Sequence, residues 1–594
     1  MPPKRTAVNT SIRRPAKRAR ASAGGIGSFD SSQDFASSRL VQAAALAERA
    51  GGGQGYLSRR TLGAGVKSLR EISVQVAARG LYETVRLPPR DAPGTGRQTA
   101  QQEGKKLLVG WDPSRDPSKQ EETSSLRHYL QSLPVDIVNR LLGLVLSHAS
   151  ADVVEPSDPG VSVLAVAALF FHPATTRLAL SSLTAPSVLI SRIPQCNALA
   201  DLDLSFHTSL SDGALAKVLV QLPTLERVNL KGCTKVGDAS LIALSRASEE
   251  RLKVANLSLT AVSVKGLTEL LSRCKNIEVL KLASVAQLNE KNVNKLVEDA
   301  TSAAPSGYRH FPLSRLRALK LRSTDITDAS IGRLLTLCAL SLTSLDVSYT
   351  SLKSLDFVSS ALHALPAWNL EKLVVSGLPL SPASLEGFFR PLSERPVQER
   401  KKFRILKLGA IPVSSTKAPG LTDAVLAKVL PYLEKLEGLE SVSLYQNWGL
   451  GKTREPLGRF METVGRRCLH LDLTLPVESH HLERLLSPLP LYPSSDENGD
   501  EPLDPDAFAP VTPRLQTLVL DSSRIRDDAA EYIAACRDLR ALHVAETRIS
   551  TKFLLTLLHT CPHLSTLNLT SCRGVPVTQR RTFFEAYEKG EVSG

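Results

Sequence analysis

Leu225-Glu-Arg-Val-Asn-Leu-Lys-Gly-Cys-Thr-Lys-Val-Gly-Asp-Ala-Ser-Leu241 holds one complete structural period. Leu225, Val228 and Leu230 stand at LxxLxL spacing. In an extended strand, alternation sends Val228 and Leu230 to one face and Arg227, Asn229 and Lys231 to the other. A turn containing Gly and Asp follows, then an apolar helix from Asp238 onward. The same spacing recurs at Leu199-Leu202-Leu204, Leu316-Leu319-Leu321, Leu370-Leu373-Val375, Phe403-Leu406-Leu408 and onward to Leu564-Leu567-Leu569. Most units begin 24 to 29 residues apart, and longer ones carry insertions after Leu282, Val375, Leu408 and Leu473.

That period belongs to the long class of leucine-rich repeat, one strand and one helix per unit. Neighbouring strands need about 4.8 Å and packed helices about 8 to 10 Å, so stacking the units curves the chain. The sequence therefore predicts an α/β leucine-rich-repeat solenoid, or horseshoe. It has a parallel concave sheet, convex helices and an N-terminal helical cap. Aromatics make up only 5% of the residues against 42% hydrophobic, which suits a core of stacked aliphatic layers.

Outward from the repeats, residues 1–60 read as a disordered basic tail, 61–195 as a helical cap or F-box-like region with a linker, and 196–594 as the repeat domain. Lys4, Arg5, Arg13, Arg14, Lys17, Arg18 and Arg20 supply half of the formal charge of +14, with no acid among them. Clustered cations on an extended chain have the form of a two-part nuclear-import signal. The mild charge elsewhere argues against a dedicated nucleic-acid surface. No run approaches the roughly 20 apolar residues of a membrane span, and no signal peptide is evident. The expectation is a soluble protein of nucleus and cytoplasm. Eight cysteines, none in CxxC pairs, read as reduced thiols rather than a disulfide or zinc framework.

The segment Val228 to Leu241 resembles the cysteine-containing repeat of F-box and related proteins, with Cys233 after the strand and Asp238 at the helix start. Leu210-Ser-Asp-Gly-Ala-Leu215, Ile326-Thr-Asp-Ala-Ser-Ile331 and Leu421-Thr-Asp-Ala-Val-Leu426 repeat the turn. Each Asp is placed to accept free amides at its helix start. Cys196, Cys274, Cys536 and Cys561 each precede a repeat's first apolar position by three. The Ser68–Gly80 helix, with Leu69, Ile72, Val76 and Ala77 on one face, precedes a helix opened by Leu133-Pro134. Together they are similar to the N-terminal segment of the antagonist-of-mitotic-exit family and, more loosely, to an F-box. The F-box resemblance implies that Leu133, Pro134, Ile137, Leu141 and Leu142 insert into the adaptor of an SCF-type ubiquitin ligase. The alternative is that these helices only cover the exposed end of the solenoid.

Catalytic motifs are incomplete. Gly449-Leu-Gly-Lys-Thr453 has Gln446 where a phosphate loop needs its first glycine, and Arg454-Glu-Pro456 disturbs the following helix. His480-His481 lacks HExxH spacing. The acidic run from Asp496 to Asp506 lacks calcium-loop spacing. The reading is no enzyme and no cofactor. Outward strand positions are more informative: Arg227, Lys231, Lys281, Lys320, Arg322, Lys372 and Lys407 form a cationic strip against the single acid Asp346. Asp201, Asp203, Asp472 and Asp521 hold equivalent positions towards the ends. Such a strip suits an acidic or phosphorylated segment of a protein target. The expected function is a recognition subunit, with the SCF adaptor and cullin as further partners. The second reading is a nuclear DNA-repair or chromatin-associated scaffold whose basic tail touches DNA. No membrane partner is expected.

Overall fold

The computed structural model describes residues 56–58, 69–85, 126–151, 163–181, 187–302, 313–411, 420–486 and 512–589. Its frame is one sheet of 15 strands. From Arg177–Ala179 to Thr566–Asn568 the strands run parallel in sequence order, each three residues long. The middle residues form one ladder: Leu202, Val228, Ala255, Leu280 and Leu319 are successive register partners, none more than 3% exposed. Each buried leucine contributes about 1.5 to 3 kcal/mol of transfer free energy, but only when a neighbouring unit covers it. One apolar cluster consequently runs from Val74 to Phe583. Its largest rings, Trp368, Phe388 and Phe403, pack edge to face at centroid distances of 6.0 and 6.3 Å from Trp368.

The slab begins earlier than the LxxLxL spacing indicates. Leu178 and Leu180 are buried in a first strand that pairs with Asp201–Asp203, inside the region read as cap. Thr175 stands where the other units have their first aliphatic residue, so the pattern is masked there. Within the stretch read as a disordered tail, Tyr56–Ser58 forms a strand antiparallel to Thr566–Asn568, at the far end of the sheet.

The cap helix Leu69–Val85 packs on Val135–Ala151. Its buried face is Val74, Ala78 and Leu81, whereas Val76 is 66% exposed. Apolar residues lie at helical spacing on both sides of this helix, so periodicity alone selects the wrong one.

The Asp turns act differently from the expectation. Their carboxylates reach forward to the helix start of the next repeat instead of capping their own. Asp212 accepts from the amides of Ala239 and Ser240 at 3.0 and 2.9 Å, Asp238 from Ser263 at 2.8 Å, Asp328 from Ser354 at 2.9 Å and Asp527 from Ser550 at 2.6 Å. Four amides at each helix start lack partners of their own, and a neighbouring carboxylate satisfies them with charge-assisted bonds. Burial pushes the Asp212 carboxyl up, but its hydrogen bonds from Ser240, Gly237 and Ala239 outweigh this and leave it below the usual range.

All eight cysteines are buried and unpaired by disulfides. The Cys233 thiol donates to the Leu204 carbonyl and that of Cys572 to Val544, both at 3.0 Å. Burial pushes the thiols of Cys233, Cys274, Cys338 and Cys468 up to about 12.

Candidate functional site

The Gly449–Thr453 segment is built to hold an internal carboxylate. Asp423, itself 7% exposed, accepts from the amides of Gly451, Lys452 and Thr453 at 2.8, 2.9 and 2.8 Å, and from the Thr453 hydroxyl at 3.0 Å. The amides that could cradle a phosphate are thus occupied by the same forward-reaching aspartate seen in other repeats. His481 is fully buried, with Nδ1 accepting from the Glu478 amide at 3.0 Å and Nε2 lying 3.2 Å from the Thr453 carbonyl. That arrangement fixes a neutral, structural ring. Among the described residues, no three His, Cys, Asp or Glu side chains gather as metal ligands.

The sheet face opposite the helices is the extended feature that remains. Its strand positions alternate buried and half-buried, as in Asp201–Asp203 and Val279–Lys281. Sheet register places Lys281 beside Lys320, Lys320 beside Asp346 and Val374 beside Lys407. Two cations of the strip have carboxylate neighbours: Arg227 lies 3.6 Å from Asp201, and Lys320 3.8 Å from Asp346. Two stack on rings, with Lys231 Nζ 4.8 Å from the Phe206 centroid and the Arg322 guanidinium 4.9 Å from that of Tyr349. Lys281, Lys372 and Lys407 pair with no carboxylate among the described residues.

The crowding registers in the lysines themselves. Burial, then Lys320, Arg227 and Lys231, pushes the Lys281 ammonium below its ordinary range. Lys372 is lowered by burial and then by Lys407, with Asp346 only partly offsetting this. Like charges held together in a half-buried row are relieved by a bound anion.

Acids bound the strip on both sides. Asp203 accepts from the Asn229 side-chain amide at 2.9 Å near one end. At the other, Asp472 accepts from the Ser443 and Thr474 hydroxyls at 2.8 and 2.9 Å. Burial raises Asp521, with Asp472 and Glu546 adding to the rise, and burial lowers His543 beside them.

Sequence reasoning did not identify the aromatic part of this face. Tyr349 leaves its strand with φ 55°, and its ring lies over Gly377. The Tyr445 ring lies over Gly409, and the two hydroxyls hydrogen-bond at 2.8 Å. A Cβ on either glycine would fall inside the ring above it. Phe206 covers Gly232 in the same manner. Trp448, three residues beyond Tyr445, is 54% exposed. The available signal was the two glycines just beyond their strands, Gly377 and Gly409, which leave room for the rings above them.

In the cap, Leu133 is 37% exposed, Pro134 is exposed and Ile137 is half-buried. Leu141 and Leu142, read as adaptor contacts, are 2% and 1% exposed. They belong to the apolar core, against which Ile137 also packs, and they cannot enter a partner while this packing stands. Lys4, Arg5, Arg13, Arg14, Lys17, Arg18 and Arg20, read as an import signal, lie outside the described residues.

Strand, turn and helix stacked in register around an aliphatic ladder define a leucine-rich-repeat solenoid. The family described as Leucine Rich repeat matches residues 221–245. No curated protein matches. Among solved structures, the yeast Rad7 and Elc1 complex aligns at 15% identity and TM-score 0.44, over 82% of this chain and 96% of that chain. An internalin, InlF, from Listeria monocytogenes aligns at 12% identity and TM-score 0.30, over 74% and 91%. The functional domain of InlJ from the same organism gives 12% and 0.30, over 69% and 71%. These likenesses say nothing of what this chain binds.

Proposed function

We propose that this protein is a non-enzymatic recognition subunit that holds a protein target against its sheet face. The observation that carries the reading is the row Lys281, Lys372 and Lys407, half-buried and without ion-pair partners in a molecule that pairs many of its other surface charges. A folded protein keeps uncompensated like charges together at a cost to stability, and an anionic partner relieves it. In this reading the cap presents Leu133, Pro134 and Ile137 to an SCF-type adaptor and cullin, and residues 4–20 direct nuclear import.

The test compares partners recovered from cells by the intact chain, by Lys281→Glu/Lys372→Glu/Lys407→Glu and by Leu133→Asp/Ile137→Asp. The first variant is expected to lose the target and keep the adaptor, and the second to do the reverse. Identical partners from all three proteins overturn the reading.

The seven cations of residues 1–20 favour a second reading, a nuclear repair or chromatin scaffold with a DNA-contacting tail. Salt-dependent DNA binding that disappears on deleting residues 1–20 would support it.

A further inference from the structure

We infer that the sheet face reads a short linear peptide with a fixed order of chemistry: acidic residues, then an aromatic residue, then a basic one. This rests on the recognition reading above and specifies the partner.

The order follows from three zones along the solenoid: a cationic row, a tyrosine shelf that lies alongside the Lys372 and Lys407 repeats and extends one repeat past them at Tyr445, and acids beyond both. The first is the cationic row from Lys281 through Lys320 and Lys372 to Lys407. The strands bearing Lys281 and Lys407 are four register steps apart. At about 4.8 Å per step this is roughly 19 Å, the span of about six extended residues.

The second zone is the tyrosine shelf. Tyr349 and Tyr445 arise three strands apart and meet hydroxyl to hydroxyl across Gly377 and Gly409. Because glycine lies beneath each ring, the pair is flat against the backbone; Arg322 stacks on the Tyr349 ring, which leaves the half-buried Tyr445 ring as the part of the shelf a ligand can cover. Trp448 stands exposed beyond Tyr445. A flat, half-exposed aromatic surface is matched by an aromatic side chain packed offset or edge-on.

The third zone is acidic. Asp472 lies two register steps beyond Lys407, about 10 Å or three extended residues away, with Asp521 beyond it. Charge complementarity places Lys or Arg of the ligand there.

The same boundaries disfavour a nucleic acid strand on this face. A polyanion longer than the cationic row meets Asp201 and Asp203 at one end and Asp472 and Asp521 at the other. The strip is also interrupted by Asp346, which lies 3.8 Å from Lys320. A short segment of mixed charge meets no such penalty.

The experiment pans a phage-displayed library of random peptides of about twelve residues on the full-length protein, then measures selected synthetic peptides by fluorescence anisotropy. Enriched peptides are expected to carry Asp or Glu, then Phe, Tyr or Trp, then Lys or Arg. Lys372→Glu/Lys407→Glu should abolish their binding. Tyr445→Ala should weaken it about tenfold and Tyr445→Phe leave it unchanged, because the ring and not the hydroxyl forms the shelf. Asp472→Lys should remove the preference for the basic end. Thermal melts identify any variant that fails to fold, and Tyr445→Phe then serves as the folded comparison for Tyr445→Ala. The inference is overturned by no enrichment, by peptides lacking the aromatic or the charge order, by Tyr445→Ala binding as wild type, or by oligothymidylate displacing the peptides. Loss of this inference alone leaves the charge-reversal variant still losing its cellular target; loss of the broader reading leaves that variant with its full set of partners.

Discussion

Tyr349 and Tyr445 are 96 positions apart in sequence, yet their hydroxyls meet at 2.8 Å over two glycines. The bond spans three repeats in a fold where most contacts join adjacent ones, so the two rings tie together a stretch that would otherwise be held only by neighbours. Most of this arrangement rests on the glycines and little on the hydrogen bond. Tyr349→Phe is expected to cost under about 1 kcal/mol, since the bond is exposed to water. Gly409→Ala forces the Tyr445 ring off the backbone and should cost about 1 to 3 kcal/mol. Gly377→Ala adds the strain of φ +72°. Urea midpoints of the three variants check the order; a Tyr349→Phe loss exceeding that of Gly409→Ala would reverse the argument.

Burial and the Tyr445 bond push the Tyr349 phenol up to about 12. A raised folded value for an acid favours its neutral form. Its contribution to stability is therefore present below the ordinary value near 10 and is lost as pH rises through 12. Alkaline titration of phenolate absorbance should show a late-ionising component that moves to lower pH in Tyr445→Phe.

Asp423 holds three amides and a hydroxyl of the next repeat. Replacing it with Ala leaves buried donors unsatisfied at about 1 to 3 kcal/mol for each group that water cannot reach. Hydrogen exchange should report this locally: the amides of Gly451, Lys452 and Thr453 lose protection first in Asp423→Ala, and Asp423→Asn retains part of it. Uniform loss across all repeats would instead indicate global unfolding with no local latch. The wild-type protein should show no ATP-induced shift of its thermal midpoint, because the carboxylate already fills the cradle.

The repeat frame was legible because its signal is a spacing rule, and Leu202, Val228 and Leu319 obey it by burial alone. The first strand was missed because Thr175 replaces the expected aliphatic residue, although Leu178 and Leu180 are buried like the rest. The cations of the strip were readable from alternation, since a strand must send every second residue outward. The tyrosine shelf was not, because Tyr349 and Tyr445 occupy different positions within their units. Only the stacking of four repeats brings them together. The role of Asp212 and Asp423 was half legible: their type and place announce amide capping, but which helix they cap depends on how successive turns overlap.

The thiols offer a test of the ladder itself. All eight cysteines are buried, and the four whose thiols burial pushes up to about 12 hold almost no thiolate at neutral pH. A disulfide reagent such as dithiodipyridine should find essentially none of them in the native protein and all eight in urea. Rapid labelling of several under native conditions would mean that repeats open individually.

Two buried histidines, His207 and His481, and two half-buried ones, His363 and His543, give the last expectation its sign. Burial lowers His207, His363, His481 and His543, so each is held neutral in the folded chain and binds a proton more readily when unfolded. With a depressed folded value, the stabilising contribution is complete above the unfolded value near 6.5 and is lost as pH falls through the folded one. His207 is the sharpest case: it is 3% exposed, and its Nε2 sits 2.7 Å from the Leu180 carbonyl, to which the neutral ring donates from that nitrogen. The thermal midpoint should therefore fall between pH 7.5 and 5.5. His207→Gln, which can keep a donor towards Leu180 but cannot titrate, should flatten part of that slope at some cost in packing. A midpoint unchanged over the interval, or a slope untouched by His207→Gln, would show that these rings accept protons in place.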